Sequence, residues 1–167
     1  MEIFLNPDSR QLDRLCEFSA LSLEDLDEKD RLFCRACEAR WKGLLRVETF
    51  NCQTDSYLIV YLPVSVEAEI DKVWLASPYQ GWLLTLLAQR LCLGSIQKVL
   101  GKRFCLPLPP LTPALQRALS DRRIPCNGEA IALRFALFTF DVLKEQYNCG
   151  QAACKRCALL AKCPRKL

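Results

Sequence analysis

The chain has 167 residues, of which 51% are hydrophobic and 25% are charged, with 11 cysteines and a net charge of +4. This composition argues against a largely disordered chain, and the length fits one domain or one domain with a short appendix. Because the sequence contains no histidine, histidine-dependent acid–base catalysis and histidine metal ligands are excluded.

Targeting and membrane signals are weak in this sequence. The opening "MEIFLNPDSRQ" lacks the apolar run of a secretory signal. The most apolar stretch, "WLLTLLAQRLCLG", is interrupted by Gln89 and Arg90, well short of the roughly 20 apolar residues of a membrane span. We therefore expect a cytoplasmic protein without membrane contact, whose cysteines are not a disulfide framework.

Helical periodicity dominates the first 45 residues. The segment "DSRQLDRLCEFSAL" predicts a short helix, and "SLEDLDEKDRLFCRACEARWKGLL" predicts a longer one that begins at a capping-box-like Ser22 and Asp25. The apolar side of the first helix consists of Leu12, Leu15, Cys16 and Leu21.

The pattern then changes to that of strands. The runs "LLRVETF" and "SYLIVYLPV", separated by "NCQTD", predict a β-hairpin near residues 44–64. Pro63 predicts that the second strand ends there or lies at a sheet edge. The acids that follow, Glu67, Glu69 and Asp71, are expected to be exposed, solvated charges.

Three further helices are predicted. "SPYQGWLLTLLAQRLCLG" predicts a central buried helix that Gly94 stops, with "SIQKVLGKRF" as a short continuation. After the extended connector "CLPLPPL", "TPALQRALSD" predicts a helix, and "NGEAIALRFALFTFDVLKEQY" predicts a last long one. The expected fold class is mainly α (α+β): a helical domain over residues 1–148 with one small β-hairpin, and a C-terminal cysteine metal-binding knob over residues 149–167 packed on it.

The knob is predicted from four crowded cysteines in "NCGQAACKRCALLAKCPRKL": Cys149, Cys154, Cys157 and Cys163. A pair of cysteines two residues apart directs both sulfurs at one centre, and four thiolates suit tetrahedral Zn²⁺ or a 4Fe–4S cluster. The apolar residues after the pair and Pro164 after the last cysteine favour the cluster over zinc. The alternative is that these are unligated thiols of a tail.

The other cysteines are predicted to be structural or outlying. Cys34 and Cys37 form a second pair of this spacing, but Cys37 shares the apolar helical face of Phe33 and Trp41. A core role is therefore favoured over a zinc site built with a distant pair. Cys16 and Cys92 are also expected in the core, whereas turns flank the possible outlying ligands Cys52, Cys105 and Cys126.

The segment "CGQAACKRCALLAKC" resembles the C-terminal cluster loop of the helix-hairpin-helix DNA glycosylases, which holds a 4Fe–4S cluster and contacts DNA phosphates through basic residues. Cys154, Cys157 and Cys163 match the last three cysteines of that loop in spacing, whereas Cys149 stands two residues closer than its counterpart. Over these fifteen or so residues, the resemblance implies a cluster and phosphate contact, not glycosylase activity, because the family's Gly-rich hairpin is absent. The spaced cysteine pairs give a fainter resemblance to small subunits of type IV CRISPR effector complexes.

The positive charge is concentrated in the last third of the chain. Residues 1–50 carry a net charge of −3, residues 51–100 carry −1 and residues 101–167 carry +8. Such a bias is typical of proteins that bind polyanions. The residues expected to contact nucleic acid are Lys102, Arg103, Arg122, Arg123, Lys155, Arg156, Lys162, Arg165 and Lys166.

The alternatives for these charges are a solubilising surface, contact with the acidic first fifty residues, or an acidic protein partner. The sequence contains no phosphate-binding Gly-rich loop and no nucleophile motif, which argues against catalysis. The sequence thus predicts a non-catalytic protein with a four-cysteine metal site that binds DNA or RNA within a larger nucleoprotein complex. The alternative is a small iron–sulfur protein that transfers electrons or senses oxidation.

Overall fold

A computed structural model describes residues 23–100, 108–128 and 130–140. Helices account for 58% of these residues and a small antiparallel sheet accompanies them, which confirms the α+β class. The predicted helix in residues 8–21, Cys16, Cys105 and the cysteine tail lie outside the described residues. In chain order, the elements are a 3₁₀ turn (Leu23–Asp25), α1 (Glu28–Leu44), β1 (Arg46–Cys52), β2 (Asp55–Tyr61), α2 (Val64–Ala76), α3 (Pro78–Leu100), α4 (Pro113–Ser120), β3 (Cys126–Asn127), β4 (Ala130–Ile131) and β5 (Ala136–Phe140).

The first described helix begins later than the sequence predicts. Asp27 caps α1, since its Oδ1 accepts a hydrogen bond from the Asp30 backbone N–H at 2.8 Å. The predicted start at Ser22 and Asp25 was therefore wrong, and the 3₁₀ turn precedes the true cap. The helix then buries one face through Cys34, Cys37 and Trp41.

The predicted hairpin is confirmed, and it belongs to a three-stranded sheet. β1 pairs with β2 in antiparallel register from Arg46 opposite Tyr61 to Cys52 opposite Asp55. β5 pairs with the other side of β2, so β2 is the central strand. Pro63 follows the end of β2, as one of the two predicted alternatives stated, and it occupies the N-cap position of α2 without a side-chain hydrogen bond.

Both faces of β2 are buried, which explains its continuous apolar run. On one face, Leu58 and Val60 join a first core with α1, α2 and α3. On the other face, Tyr57 and Ile59 join a second core that includes residues of β5 and α4. The sheet therefore lies between a layer of three helices and a smaller layer built around α4.

The predicted last long helix is wrong over its described part. Residues 130–131 form β4, and Ala136–Phe140 form β5. Phe138 and Phe140 enter the second core while Leu137 packs against the first, an alternation that needs an extended backbone. Phe138, Thr139 and Phe140 are themselves strand-favouring residues, and pairing with β2 holds them in the extended backbone.

Of the remaining helices, α2 was not predicted, α3 is longer than predicted and α4 is as predicted. α2 buries Val66 and Ile70. Gly94 does not stop α3, which continues to Leu100 because Ile96 and Leu100 lie in the first core. α4 forms as predicted, with the Thr112 hydroxyl accepting a hydrogen bond from the Leu115 N–H at 3.3 Å.

Candidate functional site

The structure describes two of the predicted nucleic-acid contacts, Arg122 and Arg123. The four predicted metal ligands Cys149, Cys154, Cys157 and Cys163 lie outside the described residues, as do Lys102, Arg103, Lys155, Arg156, Lys162, Arg165 and Lys166. Within residues 23–100, 108–128 and 130–140, no three Cys, Asp or Glu side chains come close enough together to hold a metal ion.

Arg122 and Arg123 lie in the turn that ends α4. The backbone N–H of Arg122 donates to the Leu119 carbonyl at 3.0 Å, and that of Arg123 donates to the Ser120 carbonyl at 2.8 Å. Arg123 has a φ of +60°, the left-handed conformation that reverses the chain there. Both side chains are exposed, as is that of Arg117 in the last turn of α4, and we call these three residues the arginine turn.

Arg122 is held in place by contacts within the protein. Its Nη1 donates to the Ala118 carbonyl at 2.7 Å, at the end of α4. Its Cζ lies 4.4 Å from the centroid of the Phe50 ring, within the range of a cation–π contact. Phe50 in turn stacks with Tyr57 and Phe138 in the second core. The arginine turn is therefore anchored to the sheet through Arg122.

The arginine turn forms no ion pair among the described residues, although Asp121 lies within it, directly before Arg122. The ion pairs in that part of the chain join Arg40 to Glu69, Lys42 to Glu38 and Arg134 to Asp71, all away from α4. Exposed Arg117 and Arg123 take part in none of them. The positive charge of the turn is thus not neutralised by residues 23–50, the described part of the acidic first fifty residues.

Cys34 and Cys37 lie in the core, as predicted. They are 1% and 3% exposed and pack in the first core with Trp41. Burial, together with the nearby Cys37, Asp30 and Glu38, raises the pKa of the Cys34 thiol to about 11. Because metal binding requires the thiolate, this environment disfavours a metal site at the pair.

Cys92 is also a core residue, as predicted. It is 2% exposed, and its Sγ donates to the Phe135 carbonyl at 3.5 Å. Burial raises the pKa of this thiol to about 12. The possible outlying ligands Cys52 and Cys126 are partly buried and pack against the second core, and burial raises the pKa of Cys126. These contacts give both side chains a packing role.

Of the three acids expected to be exposed, Asp71 is exposed and Glu67 and Glu69 are half-buried, and all three also make specific contacts. Glu67 Oε1 accepts a hydrogen bond from the Arg134 backbone N–H at 2.7 Å, and Asp71 pairs with the Arg134 guanidinium. Glu69 accepts hydrogen bonds from Arg40 and, at 3.0 Å, from Trp41 Nε1. All three lie on α2, the helix that the sequence analysis missed; the recurrence of Val66, Ile70 and Val73 at helical spacing was the available signal.

Among the helices of the described residues, α3 is long and apolar enough to span a membrane by length and composition alone. Its most apolar window has a mean hydropathy of 1.2, and 44% of that window is buried inside the protein. The core helix of a soluble protein meets the same criteria, so this single helix is weak evidence for a membrane span.

Comparison of the chain with protein-family models, with curated proteins and with solved structures finds no match in any of the three.

Proposed function

We propose that this chain is a non-catalytic nucleic-acid-binding protein whose C-terminal cysteines hold a metal centre beside a basic surface, and that it acts as a subunit of a larger nucleoprotein complex. The observation that carries the proposal is the arginine turn, which presents exposed guanidinium groups without carboxylate partners in the described part of the chain. Guanidinium groups of this kind suit phosphate oxygens, which they bind through paired hydrogen bonds.

The anchoring of the turn strengthens the proposal. Arg122 is fixed by the Ala118 carbonyl and the Phe50 ring, so the backbone that carries Arg117 and Arg123 is tied to the sheet. A charge on a fixed backbone loses less conformational entropy on meeting a phosphate than a charge on a loose chain. Contacts of this type position a protein on the phosphate backbone without reading base sequence.

The sequence places more positive charge around this turn in the chain. Residues 101–167 carry a net charge of +8, and the proposed metal ligands Cys149, Cys154, Cys157 and Cys163 are interspersed with Lys155, Arg156 and Lys162. The 4Fe–4S cluster is the proposed cofactor and Zn²⁺ the alternative. Either would hold the basic residues between its ligands in a fixed arrangement.

The test is a salt titration of oligonucleotide binding by the metal-loaded full chain and two charge-matched variants. Arg117→Gln/Arg123→Gln removes two charges of the arginine turn, whereas the control Lys72→Gln/Lys98→Gln removes two exposed charges of α2 and α3. If both arginines contact phosphate, the first variant should reduce the log–log salt slope by about 1.4–1.8 on DNA, and the control should leave the slope unchanged. Equal slopes for both variants would contradict the assignment of the turn.

The second candidate function is a small iron–sulfur protein that transfers electrons or senses oxidation. The same four cysteines favour it, because four thiolates with apolar neighbours suit a cluster. A chain that binds a reducible cluster but no DNA or RNA at low salt would support this candidate over nucleic-acid binding.

A further inference from the structure

The outer edge of β1 is open in the described part of the chain. β1 pairs with β2 along one side, and no strand of the described residues pairs with its other side. An unpaired edge offers a row of backbone N–H and C=O groups to another strand. The usual protection of such an edge is absent, since "RVETFNC" contains no proline and no lysine and pairs with β2 without a bulge. The edge is therefore suited to pair with a further strand.

Alternate residues of β1 direct their backbone groups toward this open edge. Cys52 and Asp55 lie opposite each other on either side of a two-residue turn, so they form a hydrogen-bonded pair. Hydrogen-bonded and non-hydrogen-bonded pairs alternate along the ladder from there. The backbone groups that face away from β2 consequently belong to Val47, Thr49 and Asn51. The side chains of the same three residues are exposed, so the helical layer leaves this part of β1 accessible.

Two opposite charges flank Val47 on β1. Arg46 and Glu48 are alternate residues of one strand, so they lie on the same face of the sheet. The Tyr61 hydroxyl donates to Glu48 Oε1 at 2.8 Å and so orients the carboxylate. Arg46 is exposed and takes part in none of the ion pairs within residues 23–100, 108–128 and 130–140. The strand therefore carries one charge of each sign, two positions apart.

We infer that β1 pairs in antiparallel orientation with β1 of a second copy of this chain, with Val47 on the two-fold axis. In this register Val47 lies opposite its own copy, and Arg46 lies opposite Glu48 of the second copy. Leu45, whose backbone is extended, lies opposite Thr49 at the end of the pairing. The two-fold axis repeats each contact, so two pairs of opposite charges flank the Val47 side chains, which are each 45% exposed in one copy. This inference does not depend on the proposed function.

The charges select this register, and they favour a second copy over an unrelated strand. Because only alternate residues offer their backbone groups, the register can shift only in steps of two residues. A shift of two residues places either Glu48 or Arg46 opposite its own copy, and like charges that face each other are destabilising. A shift of four residues can place Glu48 opposite Phe50 and Arg46 opposite Cys52, which leaves both charges without a partner. The sequence from Arg46 to Glu48 is complementary to itself in antiparallel orientation, so a second copy supplies the opposing charges.

The experiment is analytical ultracentrifugation of the full chain under reducing conditions. Because residues 45–49 of two copies form a small interface, dimerisation is measured up to a protein concentration of about 0.5 mM. Arg46→Glu and Glu48→Arg each create two pairs of like charges and should raise the dimer dissociation constant by at least about tenfold. An equimolar mixture of these two variants should dimerise again, because every contact then joins opposite charges. Arg35→Glu, the same change at an exposed residue of α1, should leave the dissociation constant unchanged.

A further variant keeps the test decisive if Glu48→Arg, which loses the hydrogen bond from Tyr61, fails to fold. Val47→Asp changes an exposed side chain and places two carboxylates opposite each other on the axis, so it should weaken the dimer as Arg46→Glu does. A wild type that is monomeric at the highest concentration would overturn the inference. So would Arg46→Glu or Val47→Asp that dimerises like the wild type, or a mixture that stays monomeric although both of its variants have the circular dichroism of the wild type.

Discussion

The guanidinium of Arg134 forms two parallel hydrogen bonds with the carboxylate of Asp71, Nη1 to Oδ1 at 2.6 Å and Nη2 to Oδ2 at 3.1 Å. Arg134 precedes β5, and Asp71 lies on α2, 63 positions earlier in the chain. The same arginine donates its backbone N–H to Glu67, one turn before Asp71. These hydrogen bonds hold the residues just before β5 against α2, and so help to position the third strand of the sheet.

Disrupting this pair should destabilise the protein modestly and in a pH-dependent way. Both side chains are more than one third exposed, so the coupling energy expected from a double-mutant cycle of Asp71→Asn and Arg134→Gln is about 0.5–1 kcal/mol at neutral pH. Hydrogen bonding to Arg134 lowers the pKa of Asp71 below its ordinary value of 3.8. The contribution is therefore complete above that value and disappears as the pH falls through the lowered pKa.

The measurement is the urea midpoint of the four proteins in the cycle at neutral and at acid pH. The ion pair of Lys42 and Glu38, which are one turn apart on α1 with Nζ and Oε1 at 3.0 Å, serves as the control for a pair within one helix. A coupling at Asp71 and Arg134 that stays constant as the pH falls well below 3.8 would show that charge pairing is not its source.

Two glycines of α3 should respond in opposite directions to alanine. Gly81→Ala forces a Cβ into the Trp74 indole and backbone, at 2.5–2.8 Å, so it should cost about 1–3 kcal/mol. Gly94 has open space around it in the same helix, so Gly94→Ala should stabilise the protein by about 0.5–1 kcal/mol. Thermal unfolding of both variants checks the pair. A Gly81→Ala variant as stable as the wild type would contradict the close contact with Trp74.

Alkaline pH should lower the free energy of unfolding, because buried thiols and a tyrosine must lose their protons. Burial raises the pKa of Cys34 to about 11 and that of Cys92 to about 12, from an ordinary value of 9.0. Burial and the hydrogen bond to Glu48 raise the pKa of Tyr61 to about 12. The folded state therefore holds more protons than the unfolded state above pH 9.0, so stability is complete below that pH and falls as the pH rises toward 12.

The check is the urea midpoint as a function of pH under reducing conditions. Cys34→Ala, which removes one of the three groups, should show a shallower decline than the wild type between pH 9 and the raised pKa of about 11. A wild-type midpoint that is flat or rises across this interval would contradict the burial of these groups.

The sequence predicts those parts of the fold where local chemistry and tertiary contact agree. Thr112 and Pro113 start α4 as the sequence indicates, and the run from Tyr57 to Tyr61 is the strand it predicts. It fails from Ala136 to Phe140, which it assigns to a helix although Phe138, Thr139 and Phe140 favour the strand that pairs with β2. Spacing alone could not show that Cys34 and Cys37 form a core pair rather than ligands, although the helical period with Trp41 pointed to the core.

For the candidate site too, the sequence predicts what depends on local composition and misses what depends on tertiary contact. Net charge by segment pointed to the region of Arg122 and Arg123, and the structure adds the contact with Phe50, which depends on how α4 packs on the sheet. Sequence could not indicate that contact, because Phe50 lies on β1 and the two residues meet only through tertiary structure. That Arg117 and Arg123 form no ion pair among the described residues, although Asp121 lies between them in the chain, is likewise a property of the folded structure.

The proposed metal centre should depend on the tail and not on the buried thiols. Cys154→Ser or Cys157→Ser should sharply lower the metal content, because both residues belong to the chelating pair. Cys92→Ser should retain the metal, since Cys92 lies in the first core and its Sγ donates a hydrogen bond to the Phe135 carbonyl. Elemental analysis of anaerobically purified protein checks this. Loss of metal from Cys92→Ser with retention in Cys154→Ser would contradict the assignment to the tail.

The same preparation distinguishes the two proposed metals. A 4Fe–4S cluster gives a brown protein with iron and sulfide in equal amounts, whereas Zn²⁺ gives a colourless protein. A colourless zinc protein would exclude the redox function and leave nucleic-acid binding as the proposal.

The central claim, that a metal-ordered basic surface binds nucleic acid, is tested most directly by one salt titration with three proteins. These are the wild type, Lys155→Glu/Arg156→Glu and the metal-free wild type. We expect salt-sensitive binding to DNA or RNA with little sequence preference, and each lost phosphate contact should reduce the log–log salt slope by about 0.7–0.9. The Glu variant should bind more weakly while keeping its metal, and the metal-free protein should bind more weakly although every positive charge is retained. Equal affinities for all three proteins, or no binding at low salt, would contradict the claim.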